Sequence, residues 1–196
     1  MRYAAIKRKT AETDIALELC LDGTGKASVD TGVGFLDHML TLLAKHGRFD
    51  LAVKCAGDVR VDDHHSTEDI GIVLGNALRE ALGDKRGICR YGSVLLPMDE
   101  ALVACAVDLS GRSLLRYDLS PRARKVGTFD TELVEEFFLA FTRAAGMTMH
   151  LRQLDGKNTH HILEAAFKGA GRALRQAVSA DPDAADEIPS TKGTLV

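Results

Sequence analysis

Apolar and polar positions alternate along this chain in a fixed succession of rhythms, and that succession is run through twice. Tyr3 to Lys9 is a short mixed run. Ile15-Ala16-Leu17-Glu18-Leu19-Cys20-Leu21 is apolar with partial alternation, and Asp22-Gly23 closes it with a turn signal. Lys26 to Asp30 is expected to pair with that strand as a hairpin. Gly34 to His46 then sets Phe35, Met39, Leu42 and Leu43 at helical spacing. Asp50 to Cys55 reads as a strand. Ser66 to Leu82 reads as a helix with Ile70, Val73, Leu74, Ala77, Leu78 and Leu82 on its apolar side.

The second pass keeps the order. Gly92 to Leu96, Leu102 to Leu109 and Ser113 to Leu119 are strand-like. Thr131 to Gly146 is a helix with Leu133, Phe137, Phe138 and Phe141 apolar, Met147 to Leu154 a strand, and Thr159 to Val178 a helix. The expected class is α+β: two β-β-β-α-β-α halves, each a four-stranded sheet with two helices on one face, packed helix to helix as one globular domain. The halves run over 1–88 and 89–180, with the boundary near Gly87 to Arg90. The tail, 181–196, is polar with two prolines and is expected on the surface.

Composition narrows the function classes. At 196 residues the chain can bury a sizeable core. A formal net charge of −3 gives no general pull toward nucleic acid or anionic membrane. No apolar run approaches the ~20 residues of a membrane span. The start, Met1-Arg2-Tyr3-Ala4-Ala5-Ile6-Lys7, has neither a signal-peptide core nor a transit-peptide character, so a cytoplasmic location is expected. Cys20, Cys55, Cys89 and Cys105 are scattered without a Cys-x-x-Cys pair and read as free buried thiols of a reduced compartment.

Metal chemistry therefore falls to histidine and glutamate. His64-His65-Ser66-Thr67-Glu68 recurs as His160-His161-Ile162-Leu163-Glu164, offset by 96 positions, and Gly75-Asn76-Ala77-Leu78-Arg79 is answered by Gly171-Arg172-Ala173-Leu174-Arg175. The earlier helices align as well. Phe35-Leu36-Asp37-His38-Met39-Leu40 faces Leu133-Val134-Glu135-Glu136-Phe137-Phe138 at an offset of 98, so Glu136 is the counterpart of His38. On a helix, residues i and i+4 share a face, so His64 with Glu68, and His160 with Glu164, can each grip one ion. His65 and His161 point elsewhere. Pseudo-symmetry then gives one ion His64, Glu68, Glu136 and His161, and the other His65, His38, His160 and Glu164. Imidazole and carboxylate without thiolate suit manganese, iron, zinc or nickel, and octahedral geometry favours manganese. A lone His-His pair is ordinarily surface decoration; two pairs with Glu at the same spacing in a duplicated unit are not. His46 and His150 fall outside the pattern. The helix glycines Gly71, Gly75, Gly169 and Gly171 indicate close packing.

Gly34-Phe35-Leu36-Asp37-His38-Met39-Leu40, the two His-His-x-x-Glu cassettes, Gly156-Lys157-Asn158 and Pro189-Ser190-Thr191-Lys192-Gly193 together resemble the imidazoleglycerol-phosphate dehydratase family of histidine biosynthesis, from Arg8 to the end of the chain. The resemblance is to the monofunctional form, so no attached phosphatase domain is expected. The resemblance implies a homo-oligomer of 24 chains built from trimers, with active sites between subunits and two Mn2+ ions per site. Glu136 departs from the pattern, since the family often has His there.

The implied reaction converts D-erythro-imidazoleglycerol phosphate to imidazoleacetol phosphate plus water. The proton to be removed lies on a carbinol carbon with no carbonyl beside it. A di-manganese-bound imidazolate resolves this: the ring expels the neighbouring hydroxyl through a diazafulvene-like state, and the next carbon's proton becomes acidic. The resemblance gives the acid/base role to Glu12. It gives the substrate phosphate to Arg90, Arg112, Lys168, Ser190 and Lys192. Lys168 also follows Glu164 by four residues on the same helix face. Two other classes compete on the residues alone: a metal-storage or structural metal-binding oligomer, and a dinuclear metal hydrolase.

Overall fold

The computed structural model describes residues 1–195. In the first half, β1 (Tyr3–Lys9), β2 (Thr13–Cys20), β3 (Ala27–Asp30), α1 (Gly34–Gly47), β4 (Asp50–Gly57) and α2 (His64–Leu82) follow one another. The second half gives β5 (Tyr91–Met98), β6 (Ala101–Asp108), β7 (Leu114–Asp118), β8 (Lys125–Val126), β9 (Phe129–Asp130), α3 (Leu133–Ala145), β10 (Thr148–Asp155) and α4 (Thr159–Val178). The sheet orders are β1-β2-β4-β3 and β5-β6-β10-β7, the same topology twice.

Two expectations need correction. The 26–30 segment does not form a hairpin with β2: β4 lies between them, antiparallel to β2 and parallel to β3. The reason is the α1 crossover, which returns the chain into the middle of the sheet. Asp50, the first residue of β4, fixes the result, its Oδ1 accepting the backbone N–H groups of Thr24, Gly25 and Lys26 at 2.8, 3.1 and 2.9 Å. Nor are all four thiols buried: Cys55 and Cys105 are, Cys20 is half-buried and Cys89 exposed. The β8–β9 hairpin has no apolar alternation to announce it. It turns at Gly127 (φ +62°) and seats Phe129 in the core, with its ring 5.3 Å from that of Phe35.

Alternation on β2 and β6 sends Ile15, Leu17, Leu19, Val103, Cys105 and Val107 inward. The helices lie between the sheets. Each packs chiefly against a helix of the other half, α2 on α3 and α1 on α4. Matched glycines permit this. A Cβ on Gly75 of α2 would sit 2.6 Å from the Phe141 carbonyl oxygen of α3, and one on Gly171 of α4 would run into the Leu43 carbonyl of α1. Gly75 and Gly171 are equivalent in the repeat, as are Leu43 and Phe141. Overpacking at such points costs about 1–3 kcal/mol. These two crossings place residues of one half against residues of the other. Among the described residues no helix is long and apolar enough to cross a membrane.

Candidate active site

Both His-His pairs stand on the first turn of a helix. At α4, the Asn158 side chain accepts from the His161 N–H at 3.3 Å. At α2, Asp62 Oδ1 accepts from the His64 N–H at 2.8 Å. Short polar residues just before a helix satisfy its unpaired amides and fix where it begins. Successive residues are rotated by about 100°, so the two imidazoles of a pair diverge.

His160 turns toward α1 and His161 toward the β5–β6 turn. His160 Nε2 is 3.0 Å from Glu164 Oε2, and His38 Nε2 on α1 is 3.8 Å from the same oxygen. One ligand atom from each of His38, His160 and Glu164 lies within 4.8 Å of the other two. Phe35 packs edge-on against the His160 ring, centroids 5.5 Å apart. Glu164 is buried, which by itself would raise its pKa, but hydrogen bonding and charge from Lys168 and His160 outweigh burial and hold it below the ordinary value. Lys168 reaches Glu164 Oε1 from one turn further along α4.

The other crossing gives a looser version of the same set. His64 Nε2 is 3.9 Å from Glu68 Oε2, and Glu136 of α3 lines one groove with Glu68. His65 and His161 belong to neither group. His65 Nδ1 is 3.0 Å from Asp58 Oδ2, and its Nε2 is 3.6 Å from Glu12 Oε1. His161 Nδ1 is 2.7 Å from Glu100 Oε2, and its Nε2 is 3.7 Å from Asp99 Oδ2. Donating to the Asp58 and Glu100 carboxylates raises the pKa of these two imidazoles. Glu100 in turn is held at about 2, chiefly by His161 and the Asn158 and Lys157 amides.

The donor set at His38, His160 and Glu164 is nitrogen and oxygen without sulfur, drawn from two helices, and it suits a hard-to-borderline divalent ion. A profile of the imidazoleglycerol-phosphate dehydratase family matches residues 31–174. The chain belongs to that family. As a member of the imidazoleglycerol-phosphate dehydratases it is a hydro-lyase of histidine biosynthesis, which sets aside metal storage and hydrolysis. It is 62% identical over 195 residues to the imidazoleglycerol-phosphate dehydratase of Jannaschia sp. (strain CCS1), covering 100% of both chains. It is 61% identical to that of Desulforamulus reducens, covering 99% and 98%. Among solved structures, the Staphylococcus aureus dehydratase superposes with a TM-score of 0.83 at 44% identity, over 91% of this chain and 99% of that one. The Pyrococcus furiosus enzyme, solved with the compound (S)-C348, gives 0.84 at 40% identity, over 97% and 100%.

The residues expected to bind the substrate phosphate separate into two places. Arg90, Arg112, Ser190 and Lys192 line one cavity of about 770 Å³, together with Tyr91 and Thr191. Arg90 donates to Asp108 through Nε and Nη2 at 2.8 and 3.2 Å, and its Nη1 holds the Pro189 carbonyl at 2.8 Å. The tail is tied back onto the linker between halves through Gly87–Glu187 and Asp181–Gly87 backbone hydrogen bonds. Lys168 is not in this cavity; it stays with Glu164. No sequence pattern marks Asp58, and the one signal for Glu100 is that it stands 88 residues after Glu12 at the equivalent sheet turn.

Proposed function

We propose that the chain converts D-erythro-imidazoleglycerol phosphate to imidazoleacetol phosphate plus water, at a site holding two Mn2+ ions. The juxtaposition of His38, His160 and Glu164 across the α1–α4 crossing carries this reading. One ion would be held by these three with His65, the other by His64, Glu68 and Glu136 with His161. In their own chain His65 and His161 face away from both groups, which supports their service to a neighbouring copy. A 24-chain assembly built from trimers, in the cytoplasm, accords with that sharing.

Bound there, the ions would supply Lewis acidity to the imidazole ring of the substrate. This chain's own residues do the remainder. Arg112, Ser190 and Lys192 bind the phosphate by charge-assisted hydrogen bonds, and Arg90 holds the tail over it. Lys168 and His160 keep Glu164 ionised and therefore able to ligate. Glu12, whose Oε1 is 3.6 Å from His65 Nε2, stands where it can take the proton from the second carbinol carbon. Loss of hydroxide from the first carbinol carbon and of that proton gives the enol, which becomes the ketone.

The test is incubation of manganese-loaded protein with imidazoleglycerol phosphate, following the enolised ketone by absorbance. Turnover is expected to vanish on chelation and return with Mn2+. Equal turnover before and after complete chelation would overturn the reading.

A further inference from the structure

His65 and His161 are equivalent in the repeat, yet each is approached at the same ring atom by a carboxylate from an unlike place. Asp58 follows β4 directly, where the second half has Gly156. Its Oδ2 and Oδ1 lie 3.0 and 3.2 Å from His65 Nδ1. Glu100 comes from the β5–β6 turn, and its Oε2 lies 2.7 Å from His161 Nδ1. The first half spends the residue at that turn, Glu12, differently: it faces His65 Nε2. An ionised carboxylate has acceptors only, so in both cases Nδ1 carries the hydrogen, and the neutral ring keeps its lone pair on Nε2. An incidental surface contact has no preference between the two nitrogens.

We propose that Asp58 and Glu100 are positioning residues that fix the Nδ1–H tautomer of His65 and His161, so that Nε2 is presented bare as the ligand atom. This rests on the reading of His65 and His161 as metal ligands. Glu100 also sets the ring's place. Its Oε1 accepts the backbone N–H groups of Lys157 and Asn158 at 3.1 and 2.7 Å, and Asn158 caps the His161 amide. One carboxylate thus anchors the start of α4 with one oxygen and selects the tautomer of its third residue with the other. Asp58 makes no such double use; both of its oxygens face His65.

That difference gives opposite expectations for the two isosteric amides. Asp58→Asn can turn its single oxygen to His65 Nδ1 and keep the tautomer. In Glu100→Gln the oxygen goes to the two backbone amides, and the side-chain NH2 meets Nδ1. The ring hydrogen is then driven to Nε2, where it blocks ligation.

Mn2+ titration of the metal-free proteins, followed by the electron paramagnetic resonance of free Mn2+, reads this directly, with thermal unfolding alongside. Asp58→Ala and Glu100→Ala are each expected to weaken manganese binding about 10–100-fold. Asp58→Asn should bind as the parent does. Glu100→Gln should bind as weakly as Glu100→Ala while unfolding near the parent temperature, a split that a purely structural clamp would not produce. Parent-like binding by Glu100→Gln overturns the assignment at Glu100, and weak binding by Asp58→Asn overturns it at Asp58, even if the alanine variants fail to fold. A parent protein that takes up no manganese would defeat the ligand reading itself, and the positioning role with it.

Discussion

The two halves share a backbone and differ in what holds it. In the first half the β1–β2 turn is stapled to α2 by polar groups. Arg8 Nε donates to Asp69 Oδ1 at 2.9 Å, and the buried Thr13 hydroxyl donates to Asp69 Oδ2 at 2.5 Å. The equivalent positions of the second half are Leu96, Ala101 and Ala165, all buried and apolar. The carboxylates at the turns are spent in the reverse sense. Glu100 accepts from two backbone amides and His161, whereas Glu12 makes no side-chain hydrogen bond in the described residues and faces only His65 Nε2. The duplicated fold supplies matched His-His-x-x-Glu cassettes, and unequal support under them leaves the carboxylate of Glu12, the one of two equivalent glutamates to which the proposed function gives the proton transfer, without a hydrogen-bonded partner among the described residues.

Removing that free carboxylate is the strongest way to break the comparison. Glu12→Gln is expected to lower kcat by about 10²–10⁴-fold, the usual weight of general acid–base catalysis, with manganese content unchanged. Steady-state kinetics beside metal analysis decides it. A kcat within reach of the parent would mean that the two turns do not differ in chemistry.

Next in size is the tail. Arg2 and Arg90 are equivalent in the repeat, and each grips a carbonyl: Arg2 takes Val178 at the end of α4, and Arg90 takes Pro189. Only the second arrangement brings Ser190 and Lys192 to a cavity that also holds Arg112. Deleting residues from Pro189 onward removes the two side chains that the proposed function sets on the phosphate, and KM should rise about 10–10²-fold, the worth of one or two charge-assisted hydrogen bonds. Metal content should stay intact. An unchanged KM would return the tail to an ordinary surface segment.

Much of this was legible in the chain, for physical reasons. The cassettes show because i,i+4 spacing on a helix is a contact in itself, and His38 and Glu136 show because helix periodicity survives in the repeat. What stayed hidden is what loops and sheets bring together. Glu100 is offset from Glu12 by 88, while the helices are offset by 96 to 98, because the insertion carrying β8 and β9 falls between them. Residues sharing the helix offset are found by scanning; those sharing the sheet offset are not. The parallel place of β3 was hidden likewise, since β4 enters the sheet only after a helix has intervened.

The polar staple gives a third and smaller effect. Asp69→Ala leaves Arg8 and the buried Thr13 hydroxyl without their acceptor, a loss of about 1–3 kcal/mol once the partial exposure of Arg8 is allowed for. Denaturant unfolding measures it. The turn carrying Glu12 should loosen with it, so kcat falls while manganese binding at His160 and Glu164 holds. Restoring stability with Arg8→Leu in the same chain, in imitation of the second half, should not restore kcat if the staple also aims Glu12. Recovery of both together would show that the staple is stability alone.

The finest difference lies where each half enters the strand that follows its first helix. Asp50 pins the first entry with one carboxylate oxygen on three amides, while the equivalent Thr148 donates its hydroxyl to the Arg112 carbonyl at 3.3 Å. Hydrogen bonds from the Lys26 and Thr24 amides, with a further one from Gly25, hold the Asp50 carboxyl below its ordinary pKa. A group whose pKa is depressed by folding stabilises the fold above its unfolded value and loses that stabilisation as the pH falls through the folded one. Asp50→Asn should therefore lower Tm slightly at neutral pH, and the gap to the parent should close as the pH is taken below the ordinary aspartate range. Thr148→Val has no charge to titrate, so its smaller gap should keep the same size throughout. If the Asp50→Asn gap proves equally flat with pH, the first entry is held by shape, and on this point the two halves do not differ.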